Sequence, residues 1–137
     1  MDQSTPKLTP HEVGYLRTQL LGRLATVDQD GAPQNNPVGF VLDESEGQLL
    51  IGGLNLGASR KFRNVIANSN VAFVVDDLAS VDPWVPRGIE MRGRGEAVVD
   101  AEPPMPEFSR EVIRITPLWI GSWGIETDSF SMKVRRA

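Results

Sequence analysis

Short apolar runs separated by turn residues, with only two helical patterns among them, constrain the fold of this chain most. Arg23 to Val27 reads as a strand, and Asp28-Gln29-Asp30-Gly31 behind it as a hairpin turn. A second strand is expected from about Gln34 to Leu42. Pro37 removes a ladder donor there and Gly39 marks a bulge or a close backbone approach, so irregularity is expected from Asn36 to Gly39. Asp43 to Gly47 reads as a turn, Gln48 to Ile51 as a third strand and Val71 to Val75 as a buried fourth. Asp76 to Pro86 reads as a loop, with Asp76 and Asp77 closing the strand before it. Gly88 to Val99 is a long alternating strand with charges on one face. Ala101 to Pro106 is an acidic, proline-rich surface loop, and Glu111 to Ile125 opens as another alternating strand. Hairpin-linked strands with a helix inserted predict a small antiparallel barrel, mainly β. A doubly wound sheet would need helices between successive strands.

The first helical pattern starts at Thr9-Pro10-His11-Glu12, where Thr9 can cap, Pro10 suits the first helical position and Glu12 completes a capping box. Val13, Leu16, Leu20 and Leu21 follow at helical spacing up to Gly22, which predicts an amphipathic lid of roughly three turns. The second pattern, Gly57 to Asn68, opens with Ser59, Arg60 and Lys61. A helix start offers unpaired N–H groups and a partial positive charge, so two cations placed there are unfavourable by about 0.3–1 kcal/mol each unless an anion joins them. The arrangement is read as a phosphate site, set against the alternative of a merely solvated basic face.

The chain of 137 residues is expected to form one domain, residues 1–137. A net charge of −4 argues against a general nucleic-acid binder, while the local Arg60, Lys61 and Arg63 cluster suits one small anion. There is no cysteine, which excludes disulfides, thiolate metal sites and cysteine nucleophiles and fits a reducing compartment. No stretch is long and apolar enough to span a membrane as a helix, and Met1 to Thr9 has no apolar signal core, so a cytoplasmic location is expected. The lone histidine, His11, lies in the first turn of the lid helix, where an exposed polar role is expected. A multi-histidine metal site is impossible.

The glycine run Gly52-Gly53-Leu54-Asn55-Leu56-Gly57 fits neither the P-loop nor the dinucleotide pattern, and Gly93-Arg94-Gly95 is weaker still. Asn35 to Phe40 could expose backbone groups to a planar heterocycle, or could be only a kinked strand. Trp84, beside Pro83 and near Pro86, is read as an interface anchor or a stacking surface. Arg87 could pair with an anion or with Asp82, and Trp119 and Trp123 are expected in the core. No general base or nucleophile stands out, and Tyr15 lies on the lid helix. If the chain is an enzyme, a cofactor carries the reactive chemistry.

Four segments then resemble a known family: "ATVDQDGAPQNNPVGFVLD", "LLIGGLNLGASRKFRNVIANSNVAFVVDDL", "DPWVPRGIEMRGRGEAV" and "IRITPLWIGSWGIE". In this order they resemble the pyridoxamine 5′-phosphate oxidase-like split-barrel superfamily, and within it the branch of deazaflavin (coenzyme F-420)-dependent reductases. The similarity runs from about Leu20 to Glu126, with Ser59 to Val75 and Asp82 to Gly95 the most specific portions. The resemblance implies a six-stranded split β-barrel that forms a homodimer with cofactors at the subunit interface. It implies that Ser59, Arg60 and Lys61 hold the cofactor phosphate, joined by Asn55. The ring would lie against the backbone of Asn36, Pro37, Val38 and Gly39. Trp84, Arg87, Trp123 and Gly124 would line the groove from the other subunit. The chain is shorter than the pyridoxine-biosynthetic oxidases and lacks their C-terminal substrate segment, which argues against pyridoxamine phosphate oxidation. The reading is an F-420-dependent oxidoreductase passing a hydride to an unsaturated or quinone-like small molecule. The alternatives are an FMN-binding oxidoreductase and a non-catalytic carrier of either cofactor.

Overall fold

In a computed structural model, which describes residues 6–126 and 133–136, helix α1 (Pro10–Arg17) precedes β1 (Leu21–Val27), β2 (Pro33–Gly39), β3 (Val41–Asp43) and β4 (Gln48–Ile51). A 3-10 turn at Leu56–Ala58 leads into α2 (Arg60–Ala67). The strands β5 (Asn70–Ser80), β6 (Val85–Val98), β7 (Val112–Trp123) and β8 (Lys133–Arg136) follow. Every strand pairing is antiparallel, in the order β2-β1-β5-β6-β7-β4-β3, with β8 also on β7. The two ends of that order, β2 and β3, are joined through the single residue Phe40, so the sheet must curl to bring its ends together. This is the mainly β, antiparallel architecture that the sequence predicts, a curled half-barrel with eight described strands where the split barrel implied by resemblance has six.

The extra strands have physical origins. The expected Gln34-to-Leu42 strand breaks at Phe40 into β2 and β3. The predicted irregularity from Asn36 to Gly39 is absent, because β2 pairs with β1 in unbroken register from Pro33 to Gly39. Pro37 is tolerated because β2 pairs with β1 alone among the described residues. The loop expected from Asp76 to Pro86 is a hairpin instead. The strands β5 and β6 pair through Ser80 and Val85, leaving a turn at residues 81–84 with a cis Asp82–Pro83 peptide. The basic end of the chain contributes β8; residues 127–132 and 137 lie outside the described residues, as do residues 1–5.

Alternation places Leu24, Phe73, Val75, Ile89, Met91, Ile113, Ile115 and Ile120 in a continuous buried core. Phe40 meets Phe73 edge-on at 5.3 Å between centroids. Helix α1 adds Tyr15 and Leu16 to this core, and α2 adds Phe62 and Val65. The lid is shorter than expected. Thr18 ends α1, its N–H bonding the Leu16 and Tyr15 carbonyls and its hydroxyl donating to Tyr15 O at 2.7 Å. Leu20 is therefore 84% exposed and Leu21 begins β1. The Thr9–Glu12 capping box forms as read, and Glu12 is fully buried beside Arg135 of β8. His11 is exposed and meets Glu126 at 3.1 Å.

Candidate functional site

Ser59 is the N-cap of α2. Its Oγ accepts the Phe62 N–H at 3.3 Å and donates to the Leu56 carbonyl at 2.6 Å. Arg60, Lys61 and Arg63 hold no carboxylate within ion-pair distance among the described residues. In contrast Arg23, Arg87, Arg92 and Arg114 each do. Lys61 is half-buried, Arg60 and Arg63 are exposed, and the first turn carries no acidic residue. Arg60 and Lys61 thus stand at the positive end of a helix with no ion-paired carboxylate among the described residues, an arrangement that an anion would stabilise. Asn55 is exposed in the turn before the 3-10 segment, with no capping bond of its own.

Helix α2 is pinned against the β1–β2 hairpin by buried Asn64, whose Nδ2 donates to Thr26 Oγ1 at 3.0 Å and to Gln34 Oε1 at 2.8 Å. Gln34 stands two residues before Asn36 on β2, or about 7 Å along a strand. Asn36, Pro37 and Gly39 are exposed while Val38 turns its side chain into the core. The structure thus brings the Asn36–Gly39 stretch and α2 onto the same hairpin. A cavity of about 280 Å³ beside them is lined by Asp28, Asp30, Gln34, Arg60, Arg63 and Asn64 among others, and Ser59 and Lys61 are not part of its wall.

Trp84, Arg87, Trp123 and Gly124 gather elsewhere, at the β5–β6 turn end of the sheet. Trp123 pairs in register with Gly88, where a side chain would collide with the Trp123 ring. Gly124 has a φ of 67° and packs on Arg87 and the Pro86 carbonyl. Trp84 is 61% exposed in the turn. The α2-facing end of β6 is marked by Gly95, which Val65 approaches; eight residues separate it from Arg87, about 26 Å along the strand. Within the chain the two groups of candidate residues stand apart.

Arg87 pairs with Asp77, its cross-strand neighbour, and not with Asp82. Its Nε and Nη2 donate to the two Asp77 oxygens at 2.7 and 2.9 Å. Tyr15 Oη donates to Asp77 Oδ1 at 2.9 Å, Gln19 Nε2 to Oδ2 at 3.2 Å, and the Arg87 guanidinium lies 5.1 Å from the Tyr15 ring centre. The Arg87 fork holds the Asp77 carboxyl below the usual carboxylate range, with the Tyr15 and Gln19 hydrogen bonds adding to it and burial opposing. Burial, then the Asp77 bond, pushes the Tyr15 phenol well above the ordinary tyrosine range. Asp77 lies inside β5, so it does not close that strand. Its position in the alternation of Val71, Phe73 and Val75 puts it on the inward side, a signal present in the sequence. Trp119 and Trp123 are half-buried, not core. Arg92 stacks on Trp119 at 3.9 Å while its guanidinium bonds Glu90. Among the described residues no cluster of His, Cys, Asp and Glu could hold a metal ion, and no helix is long and apolar enough to cross a membrane.

The chain is 47% identical over 121 residues to the 5a,11a-dehydrotetracycline/5a,11a-dehydrooxytetracycline reductase of Streptomyces rimosus subsp. rimosus, a match covering 88% of this chain and 85% of that one. A solved F420 reductase superposes with a TM-score of 0.55 at 29% identity, over 74% of this chain and 88% of its own. The conserved hypothetical protein Rv2991 of Mycobacterium tuberculosis shares the fold at a TM-score of 0.67 and 19% identity, over 90% of this chain and 89% of its own. Residues 8–124 match the pyridoxamine 5′-phosphate oxidase family model, and the chain belongs to that family.

Proposed function

We propose that this chain is a deazaflavin (coenzyme F-420)-dependent oxidoreductase that reduces an unsaturated or quinone-like small molecule. The observation that carries the reading is 47% identity, over most of both chains, to a reductase named for a dehydrotetracycline substrate. The F420 reductase among the structural neighbours favours the deazaflavin over FMN. The uncompensated cations at the start of α2 fit the phosphate that both cofactors carry. Arg60 and Lys61, with Ser59 capping the helix and Asn55 preceding it, would hold that phosphate. Asn36, Pro37, Val38 and Gly39, on a strand whose second edge pairs with nothing among the described residues, would support the ring. When bound, the cofactor supplies the hydride chemistry; the protein binds, orients and leaves one ring face open to the acceptor.

The whole chain, residues 1–137, acts in this reading as one cofactor-binding domain and works as a homodimer in the cytoplasm. The separation of about 26 Å between the α2 end of β6 and Arg87 supports the dimer, because Trp84, Arg87, Trp123 and Gly124 then reach the groove of the partner subunit. Titration of the purified protein with F-420 and with FMN tests the proposal. Saturable F-420 binding is expected, followed by loss of the reduced cofactor's signal when an enone or quinone is added. Binding of FMN alone would replace the deazaflavin reading, and binding of both without turnover would replace the enzymatic one.

A further inference from the structure

The glycine-rich segment that leads into α2 is gripped by residues far along the chain. Ser109 Oγ accepts the Leu56 N–H at 3.0 Å and donates to the Gly53 carbonyl at 3.2 Å, and the Ser109 N–H donates to that same carbonyl at 3.0 Å. Glu111 Oε1 accepts the Gly57 N–H at 3.0 Å. The Leu56 carbonyl in turn accepts the Ser59 N–H at 2.9 Å and the Ser59 hydroxyl at 2.6 Å, and Ser59 Oγ accepts the Phe62 N–H. Hydrogen bonds therefore link Ser109 through Leu56 and Ser59 to the first turn of α2.

The 104–111 segment also explains two of the three glycines in this run. A Cβ on Gly52 would fall 2.8 Å from the Phe108 ring, and one on Gly57 would fall 2.8 Å from Glu111 Oε1. Gly52 and Gly57 are thus glycine where the 104–111 segment closes onto the run. A segment this rich in glycine loses much conformational freedom when it is fixed. Fixing it before a ligand arrives removes that cost from binding.

We propose that Ser109 and Glu111 are positioning residues of the anion site: they hold residues 52–59 in the conformation that presents Arg60 and Lys61 to the cofactor phosphate. The inference rests on the reading of α2 as that site. Neither residue touches the phosphate; each acts through the backbone amide that it holds.

The test combines amide hydrogen exchange on the cofactor-free protein with cofactor titration, using F-420 and FMN as probes. Ser109→Ala should speed exchange at Leu56 and Phe62 and weaken cofactor binding about five- to tenfold, the equivalent of one or two net hydrogen bonds. The acceptor KM at saturating cofactor should not move. Ser109→Thr keeps the hydroxyl and should restore both readouts. Glu111→Ala should speed exchange at Gly57 and weaken cofactor binding, while Glu111→Gln keeps an acceptor oxygen and should behave as wild type. The two arms are independent, so a failure of one variant to fold leaves the other decisive. Wild-type cofactor affinity in the alanine variants, with Lys61→Ala weakened, overturns the positioning roles and leaves the anion site standing. Wild-type affinity in Lys61→Ala as well overturns both.

Discussion

Asp77 gathers a phenol, an amide and a guanidinium at the inward end of β5, and this determines what Arg87 can do. With Nε and one N–H of Nη2 engaged by Asp77, the two Nη1 hydrogens and the second Nη2 hydrogen are left for a ligand. Because the folded-state value of Asp77 is depressed, its contribution to stability is present above the unfolded carboxylate value, near pH 3.9. It is lost as pH falls through the lower folded value. Asp77→Asn should therefore lower the Tm at neutral pH and flatten its decline under acid, as thermal melts across the acid range would show. Coincident acid limbs for the variant and wild type would remove Asp77 as a source of acid sensitivity. Lys61→Ala should cost cofactor binding about 1.5–3 kcal/mol, the range for a hydrogen bond to a charged group, without shifting the Tm. A titration that leaves the affinity unchanged takes Lys61 out of the site. At this scale the sequence shows the cation cluster, because uncompensated charge at a helix start is visible in the residue order. It does not show the Asp77–Arg87 pair, since the cross-strand register that joins them is a tertiary fact.

The elements succeed or fail as sequence readings according to how local their causes are. The helix expected from Gly57 starts at Arg60 with Ser59 as its cap, but the α1 cap and the Asp28–Gly31 turn are set by neighbouring residues. They form as read, with Asp28 Oδ1 accepting the Asp30 and Ala32 N–H groups and Gly31 at a φ of 85°. The start of β1 at Leu21 and the length of β5 and β6 depend on partners elsewhere, and there the periodicity misleads. Leu20 and Leu21 have helical spacing, yet the strand pairing of Leu21 with Gly39 prevails. The β6–β7 ladder illustrates how tightly such pairing constrains a residue. Its register shifts at Arg92 and Gly93, where a Cβ on Gly93 would overlap the Thr116 carbonyl oxygen. Gly93→Ala should therefore destabilise the protein by about 1–3 kcal/mol, as for overpacking elsewhere, because backbone on two strands must shift. Chemical denaturation checks it. Gly14→Ala, on α1 with open space around it, is the control and should be neutral or stabilising.

Across the whole molecule, a curled antiparallel sheet was legible from hairpin-linked strands, while the wrap of the 104–111 segment over the glycine run left no mark in composition or period. The proposed site is divided by this architecture: α2 and β2 meet at one hairpin, and Trp84 with Trp123 sit at the β5–β6 turn end. If the groove is shared between subunits, each site takes its phosphate anchor from one chain and its aromatic rim from the other. The protein should then run at twice its 15.0 kDa chain mass by light scattering. Mixing variants gives the sharper test. Lys61→Ala and Trp84→Ala homodimers each carry one defect in both sites. In a mixed dimer of the two variants both defects fall on the same site and the other site is intact. Co-refolding the two should recover tight cofactor binding in a fraction of sites, which titration resolves as a second, high-affinity class. A groove built within one chain predicts no such class, because every site in the mixture would keep one of the two defects.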